Sequence, residues 1–205
     1  MPHNIMLLVL TGGIATGKST FRRMLAERRR FTLFDADACV HDLLAGDPTV
    51  IEAIRAAFGP QVISHGTGVN RAILRDIVFT DPSARRKLEA IVHPHVRQAW
   101  QALRSDCLGQ GADFLADIPL LFETGAAGLF DASIVVACSP EVQTARMAAR
   151  GLDSVTMEAV LASQLPLEEK VARATIVVWN DGSLKALNRE ADLLLSRLFP
   201  TDSLK

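Results

Sequence analysis

Residues 12–19 read Gly12-Gly13-Ile14-Ala15-Thr16-Gly17-Lys18-Ser19, and they follow the apolar run Ile5–Leu10. The octapeptide fits the pattern GxxxxGK[ST], which is typical of loops that bind phosphate groups between a strand and a helix. Both neighbours are predicted here. The apolar run indicates a strand, and the apolar spacing after the loop indicates an amphipathic helix from Thr20 to about Arg29. The alternative is a glycine-rich turn with an incidental lysine.

The chemistry of such a loop assigns a role to each of its parts. Backbone N–H groups can turn inward around anionic oxygens only where no side chain obstructs them, which accounts for glycine at positions 12 and 17. The following helix presents its N-terminus to the phosphate. The Lys18 amine is expected to reach the β- and γ-phosphates, and the Ser19 hydroxyl to bind Mg²⁺. We expect the nucleotide phosphates to be bound by Gly12, Gly13, Ala15, Thr16, Gly17, Lys18, Ser19 and Thr20.

Length, charge and cysteine content limit the class of protein. The chain has 205 residues and a formal net charge of −1, which suits one domain and gives no support for nucleic-acid binding. Cys39, Cys107 and Cys138 form no closely spaced pair, which argues against a disulfide framework or a zinc site and favours a reducing, cytoplasmic compartment. The first apolar run is too short for a signal peptide or a membrane span, so no membrane association is expected.

Two acids follow the second predicted strand, Phe31–Phe34. In open α/β sheets, ligands bind beyond the carboxyl ends of the strands, so Asp35 and Asp37 are expected near the phosphates. Side chains two residues apart on extended backbone face the same way. One of the two acids is therefore a candidate general base, and the other caps the next helix or helps to place the metal. In the alternative, both acids only cap a helix that starts at Ala38.

A long, mostly helical segment comes next. The spacing predicts helices over Val40–Leu44, Val50–Phe58, Ala72–Phe79 and Ser83–Leu108, with breaks that include His65-Gly66-Thr67-Gly68. A crossover between parallel strands needs only about a dozen residues, so an inserted helical part is expected at about residues 38–111. Its arginines suit an anionic ligand, although a solvated helix face is the simpler role. Pro94, after His93, is expected to kink or break the longest helix.

The third predicted strand, Phe114–Ala116, ends in an acid. Asp117 is a candidate to hold Mg²⁺ through water, because enzymes with this type of loop use a second acid at a strand end. The alternative for Asp117 is a helix cap or a strand-end acid that is satisfied by other protein groups.

The remaining segments complete a parallel sheet. Ala132–Cys138 is a continuous apolar run, as expected for a strand that is covered on both faces. Ser139 then reads as the N-cap of a helix that carries Arg146 and Arg150 on one face, suited either to clamp a triphosphate or to remain solvated. A further helix over Ser154–Lys170 is interrupted near Pro166, Ile176–Trp179 is the fifth strand, and the last helix runs to about Phe199.

Together these residues resemble the dephospho-coenzyme A kinase family of P-loop kinases over nearly the whole chain. The phosphate loop alone is shared by the whole superfamily, whereas Pro119-Leu120-Leu121-Phe122-Glu123 and His93-Pro94 point to this family. The marks are Leu10-Thr11-Gly12-Gly13-Ile14, Gly17-Lys18-Ser19, Asp35-Ala36-Asp37, Gly68, Asn70-Arg71, Leu74, His93-Pro94, Pro119-Leu120-Leu121-Phe122-Glu123, Gln164, Lys170 and Asn180-Asp181-Gly182.

The resemblance implies an α/β, three-layer P-loop fold with a five-stranded parallel sheet, similar to nucleoside-monophosphate kinases. It implies a core at about residues 1–37, 112–145 and 174–199, a helical acceptor-binding insert at about 38–111, and a lid at about 146–173. The implied reaction is phosphorylation of the ribose 3′-hydroxyl of dephospho-coenzyme A by ATP with Mg²⁺. By motif match, Asp37 is the catalytic base, Arg146 is the lid residue near the phosphates, and Asn180 lies in the turn that approaches adenine.

The chain departs from the family pattern at a few positions. Ala15-Thr16 replaces the usual Gly-Ser pair, Thr175 stands where an acid is usual, and Trp179 is unusual. Two other functions stay open: another small-molecule or nucleotide kinase, because a fold does not determine the acceptor, and a nucleotide-dependent switch without kinase activity. The sequence contains no NKxD segment, the guanine-reading motif that would support a switch. We expect a monomer or a weak homo-oligomer with small-molecule substrates.

Overall fold

The structure, a computed structural model, describes residues 5–64 and 68–200, so that His65, Gly66 and Thr67 of one predicted break lie outside the described residues. The chain forms an α/β fold around a five-stranded parallel sheet with the order β2-β3-β1-β4-β5. The strands are β1 (Leu7–Gly12), β2 (Thr32–Asp35), β3 (Phe114–Asp117), β4 (Ala132–Ala137) and β5 (Ile176–Trp179).

The α-helices are α1 (Lys18–Arg28), α2 (Ala36–Gly46), α3 (Pro48–Phe58), α4 (Arg71–Thr80), α5 (Pro82–Gln110), α6 (Pro140–Ala149), α7 (Ser154–Ala162), α8 (Leu167–Arg173) and α9 (Leu184–Leu198). Most of them begin where a short polar side chain accepts a hydrogen bond from a first-turn N–H group. These N-caps are Asp35, Asp47, Asn70, Ser139, Asp153 and Ser183. Among the described helices, none combines the length and the apolar character that a membrane span requires.

The central strands of the sheet are buried on both faces. Every residue of β1 and β4 is buried. Because side chains alternate along a strand, Leu8 and Leu10 face one side, where they pack with Phe21 of α1 and Leu187 of α9. α8 also contacts β4. The middle of the sheet is therefore a packed core, and polar chemistry is possible mainly at the strand ends.

The chain divides into two compact units. The first, here the core unit, contains the described residues of Met1–Leu33 and Gln110–Lys205, and the second, the helical unit, contains those of Phe34–Gly109. The helical unit has its own apolar cluster, built around Leu44, Val50 and Ile54. Each unit thus buries apolar side chains of its own.

Some predicted boundaries differ from the structure. β1 ends at Gly12 rather than Leu10, because its pairing with β4 continues until Gly12 lies opposite Val136. The first helix starts at Lys18, not Thr20. Pro94 was expected to kink or break its helix, and it does not break it, because α5 continues from Pro82 to Gln110. Proline inside a helix costs about 3 kcal/mol, and burial of Val92 and Trp100 on either side offsets that cost.

Candidate active site

The loop between β1 and α1 has a conformation that requires glycine at two positions. Gly12 has φ of 154°, and a Cβ there would lie 2.5 Å from the carbonyl oxygen of Val136 on the neighbouring strand. Gly17, the residue before α1, has φ of 96°, and a Cβ there would collide with the side-chain amide of Asn180. Both positions exclude side chains by contact as well as by backbone conformation. The structure thus gives a steric reason for glycine at positions 12 and 17.

Ala15 is the residue of the loop that carries backbone strain. It has φ of 58° and is the one non-glycine residue with positive φ among the described residues. Left-handed backbone costs a non-glycine residue about 1 kcal/mol or more. Ala15 and Thr16 are both buried, so the surrounding protein holds the strained turn in place.

Three residues on two elements form a partly buried charge cluster beside the loop. Lys18, the first residue of α1, donates a hydrogen bond to Oδ1 of Asp117 at the end of β3. Arg22 lies one turn further along α1, with Nη1 3.4 Å from the other carboxylate oxygen. Asp117 is buried, and the two cations compensate its charge. The structure thus brings together two of the predicted site residues, and Arg22 joins them without having been predicted.

The first turn of α1 carries the two predicted hydroxyl residues. Ser19 is exposed and Thr20 is half-buried. Gly17 provides no side-chain cap for this helix, so the first N–H groups of α1 are not satisfied by a capping side chain. Such N–H groups favour an anion at this end of the helix.

The turn after β5 is joined to the phosphate loop. Asn180 is buried, and its side-chain amide donates a 2.8 Å hydrogen bond to the carbonyl oxygen of Thr16. Arg146 of α6 places Nη1 3.4 Å from the same oxygen. Arg150, the other arginine predicted on this helix, is the C-cap residue of α6.

Asp181 joins the ends of β4 and β5. Its Oδ1 accepts a 2.7 Å hydrogen bond from the backbone N–H of Ser139, and its Oδ2 accepts one of 2.7 Å from the indole N–H of Trp179. The hydrogen bond from Ser139 is the main reason why the pKa of Asp181 lies below its usual value. The unusual Trp179 therefore has a fixed polar contact at the edge of the sheet.

A fully buried lysine contacts the segment that follows β3. Lys170 of α8 donates a 2.8 Å hydrogen bond to the carbonyl oxygen of Pro119 and forms a 3.0 Å ion pair with Glu123. Thr11 donates to the same Pro119 oxygen at 3.1 Å, and the Leu165 N–H donates to Glu123 at 2.8 Å. Burial lowers the pKa of Lys170, and Glu123 opposes that effect. The resemblance marks Glu123 and Lys170 are thus direct partners.

The two acids after β2 have different roles in the helical unit. Asp35 ends β2 and is the N-cap of α2, accepting a 3.0 Å hydrogen bond from the Ala38 N–H. Asp37 lies inside the first turn of α2 and is exposed. The expectation that both lie on extended backbone is wrong, because the helix starts at Ala36 rather than at Ala38. The carboxylate of Asp37 is therefore the one that is not used as the cap of α2.

The helical unit contains an open pocket of about 490 Å³ with a mixed lining. Leu44 and Leu74 contribute buried apolar surface, and Arg71 and Arg75, four residues apart on α4, contribute guanidinium groups. The remaining lining residues are Ala72, Val78 and Leu88. Apolar surface beside two cations suits a ligand with apolar and anionic parts.

Sequence reasoning missed Arg22 and Gln143. Gln143 is a buried polar residue on α6 that contacts the phosphate loop. The position of Arg22 is implied by helical spacing, because it lies four residues after Lys18. For Gln143 the sequence contains no comparable signal, since its partner lies 129 residues away.

Comparison with known proteins covers nearly the whole chain. The family model described as "Dephospho-CoA kinase" matches residues 6–186. A protein of that name from Anaeromyxobacter dehalogenans is 42% identical over 191 residues, which are 92% of this chain and 90% of the relative.

Two solved structures have the same fold. A crystal structure from Thermus thermophilus has a TM-score of 0.76 at 33% identity, covering 95% of this chain and 98% of the other. The dephospho-CoA kinase from Campylobacter jejuni has a TM-score of 0.71 at 28% identity, covering 94% of this chain and 96% of the other.

Proposed function

The chain belongs to the dephospho-CoA kinase family, and from this premise we propose that it transfers the γ-phosphoryl group of ATP to the ribose 3′-hydroxyl of dephospho-coenzyme A. The products are coenzyme A and ADP. The observation that carries the proposal is the phosphate loop. Its backbone requires glycine at positions 12 and 17, and Lys18 is the first residue of the helix that follows it. Such a loop binds a polyphosphate through backbone N–H groups.

The donor site consists of groups from the core unit. We assign the β- and γ-phosphates to the loop N–H groups and the Lys18 amine, and Mg²⁺ to the Ser19 hydroxyl and the Asp117 carboxylate. The donor set fits this ion, because Mg²⁺ prefers oxygen ligands and is usually held by one or two protein groups together with substrate phosphates. When bound, Mg²⁺ neutralises charge on the phosphate oxygens. Among the described residues, no cluster of three or more His, Cys, Asp or Glu suggests a different kind of metal site.

Asp37 is the proposed catalytic base. It would take the proton from the ribose 3′-hydroxyl as the hydroxyl oxygen attacks the γ-phosphorus and ADP leaves with the electrons of the broken bond. The proposal is supported by the motif match and by the division of labour at the start of α2, where Asp35 is occupied as the N-cap. General bases of this kind contribute about 10²- to 10⁴-fold in rate.

Arg146 is the proposed cation for the charge on the transferring group, and the segment of about residues 146–173 is the proposed lid. The position of Arg146 supports this role, because its guanidinium already contacts the phosphate loop at Thr16. Asn180 donates a hydrogen bond to the same carbonyl oxygen of Thr16. We therefore assign Asn180 to the donor site as well, in contact with the phosphate loop. The proposed nucleotide-binding core consists of about residues 1–37, 112–145 and 174–199.

The acceptor is assigned to the predicted insert at about residues 38–111, most of which belongs to the helical unit. The pocket beside α4 supports this assignment, because Arg71 and Arg75 are complementary to the pyrophosphate of dephospho-coenzyme A. Its buried leucines complement the less polar pantetheine arm. We further propose a cytoplasmic location and a monomer or weak homo-oligomer. The free cysteines are compatible with a reducing compartment.

The deciding experiment is an acceptor assay. Purified protein is incubated with Mg²⁺, ATP and dephospho-coenzyme A, and mass spectrometry follows the gain of one phosphate on the acceptor. Coenzyme A itself, which already carries the 3′-phosphate, serves as the matched non-acceptor, and shikimate and AMP test rival kinase activities. Phosphorylation of a rival but not of dephospho-coenzyme A would contradict the proposal. ATP hydrolysis that no acceptor changes would instead favour a nucleotide-dependent switch.

A further inference from the structure

Three carbonyl oxygens of the phosphate loop accept hydrogen bonds from side chains. The Thr16 hydroxyl donates to Gly13 at 3.0 Å, the Gln143 amide donates to Ile14 at 2.8 Å, and the Asn180 amide donates to Thr16 at 2.8 Å. The donors come from three places: the loop itself, α6, and the turn after β5. All three donor residues are buried.

Holding a carbonyl oxygen also orients the N–H group of the next residue. A trans peptide unit is planar, and its C=O and N–H bonds point in opposite directions. The hydrogen bonds to the carbonyls of Gly13, Ile14 and Thr16 therefore set the directions of the N–H groups of Ile14, Ala15 and Gly17. A loop that binds phosphate needs its N–H groups on the ligand side and its carbonyl oxygens on the other side, because an inward carbonyl would repel an anion.

Gln143 has the most demanding position of the three donors. Besides donating to Ile14, its Nε2 lies close to Gly13, where an added Cβ would be only 2.8 Å from it. The peptide that it holds leads into Ala15, which has the strained φ of 58°. Without the hydrogen bond, that peptide would be free to rotate and relieve the strain.

We propose that Gln143 is a positioning residue for ATP, because it holds the Ile14–Ala15 peptide with its N–H directed toward the phosphates. Gln143 itself touches no reacting atom. The inference rests on the proposed binding of ATP phosphates by this loop, and it adds a residue on α6 whose donor group the loop requires.

Two nearly isosteric substitutions separate hydrogen bonding from packing. Gln143→Met keeps the volume and removes the donor, and Gln143→Glu keeps the shape and places a carboxylate oxygen against the Ile14 carbonyl. We expect Gln143→Met to raise the KM for ATP roughly three- to tenfold, the equivalent of one lost hydrogen bond. Gln143→Glu should raise it further. Gln110→Met, at an exposed glutamine at the end of α5, is the matched control and should leave both substrates' KM values unchanged.

The distinguishing readout is inhibition by inorganic tripolyphosphate in competition with ATP. Tripolyphosphate has no nucleoside, so it reports on the loop alone, and its inhibition constant should rise by the same factor as the KM for ATP. The KM for dephospho-coenzyme A should stay within about twofold, and circular dichroism should show folded protein.

Several results would overturn the inference. These are unchanged constants in Gln143→Met, equal effects of Met and Glu, and loss of folding in both variants, which would make the role of Gln143 structural. If the wild-type protein neither transfers phosphate nor responds to tripolyphosphate, the proposed function fails as well. Normal wild-type transfer with an unaffected Gln143→Met variant refutes only the role of Gln143.

Discussion

Lys18 and Asp117, which are 99 residues apart in the chain, are joined by a hydrogen bond between the lysine amine and Oδ1 of the carboxylate. The same two side chains are assigned to the phosphates and to Mg²⁺. Arg22 approaches the second carboxylate oxygen at 3.4 Å, so the acid has cations on both oxygens. Phosphates bound by the loop would therefore compete with Asp117 for Lys18, and the carboxylate that Lys18 releases would be available to hold Mg²⁺.

Asp117→Asn is expected to lower turnover about 10- to 100-fold, because the variant loses a negative charge that would hold the metal. The Mg²⁺ concentration that gives half-maximal turnover should rise. The measurement is a Mg²⁺ titration of initial rates at saturating ATP, with Asp106→Asn, at an exposed aspartate of α5, as the control. An unchanged Mg²⁺ dependence would argue against a role in metal binding.

Asp37→Asn is expected to reduce turnover about 10²- to 10⁴-fold while the KM values of both substrates change little, because a carboxamide cannot accept the hydroxyl proton. Asp42→Asn, at an exposed aspartate on the same helix, is the matched control. Steady-state kinetics with each substrate varied in turn provides the readout. If Asp37→Asn retained wild-type turnover, another group would have to be the base.

Gly17→Ala and Gly109→Ala should have opposite effects on stability. An alanine at position 17 would have to adopt positive φ, and its Cβ would collide with the Asn180 amide. A Cβ at Gly109, inside α5, meets no atom within 4 Å. We expect Gly17→Ala to lower the free energy of unfolding by more than about 1 kcal/mol and to abolish ATP binding. Gly109→Ala should raise the free energy of unfolding by up to about 1 kcal/mol. Urea unfolding tests both, and effects of the same sign would contradict the reasoning.

Lys170 and Glu123 should behave as a coupled pair. Lys170→Met or Glu123→Gln alone leaves a charge without its partner and should cost about 3 kcal/mol, whereas the double variant should cost clearly less than the sum. Urea unfolding of all four proteins gives the coupling free energy. Additive losses would show that the two side chains act independently.

The same pair predicts a pH dependence with a definite sign. Burial lowers the pKa of Lys170 below the ordinary value of 10.5, so between the folded pKa and 10.5 the unfolded chain binds more protons than the native protein. The free energy of unfolding of the wild type, relative to the double variant, should therefore rise with pH in that window. A fall in this difference with increasing pH would contradict the shift.

Arg71→Gln is expected to raise the KM for dephospho-coenzyme A roughly 10-fold and to leave the KM for ATP unchanged, because a hydrogen bond between two charged groups contributes about 1.5–3 kcal/mol. Arg86→Gln, at an exposed arginine outside the pocket lining, is the control. Equal effects of the two substitutions on the acceptor would indicate general electrostatic attraction instead of a defined site.

Patterns that are local in sequence predicted the features that local forces decide. Short apolar runs predicted all five strands, and the N-cap signal of Ser139 predicted the start of α6. The predicted need for glycine at positions 12 and 17 agrees with the positive φ and the close contacts there, whereas the part of these residues in phosphate binding stays a prediction. At the start of α2, the same reasoning failed by two residues, since Asp35 caps earlier than expected.

The sequence alone therefore determined the sheet, the phosphate loop and the family, whose marks are contiguous or regularly spaced. Only the tertiary structure decided which side chains meet: Lys18 with Asp117, Lys170 with Glu123, and Gln143 with the Ile14 carbonyl. The two residues of each pair are between 47 and 129 positions apart in the chain. Their pairing depends on strand order and helix packing, which bring distant segments together and which no local periodicity encodes.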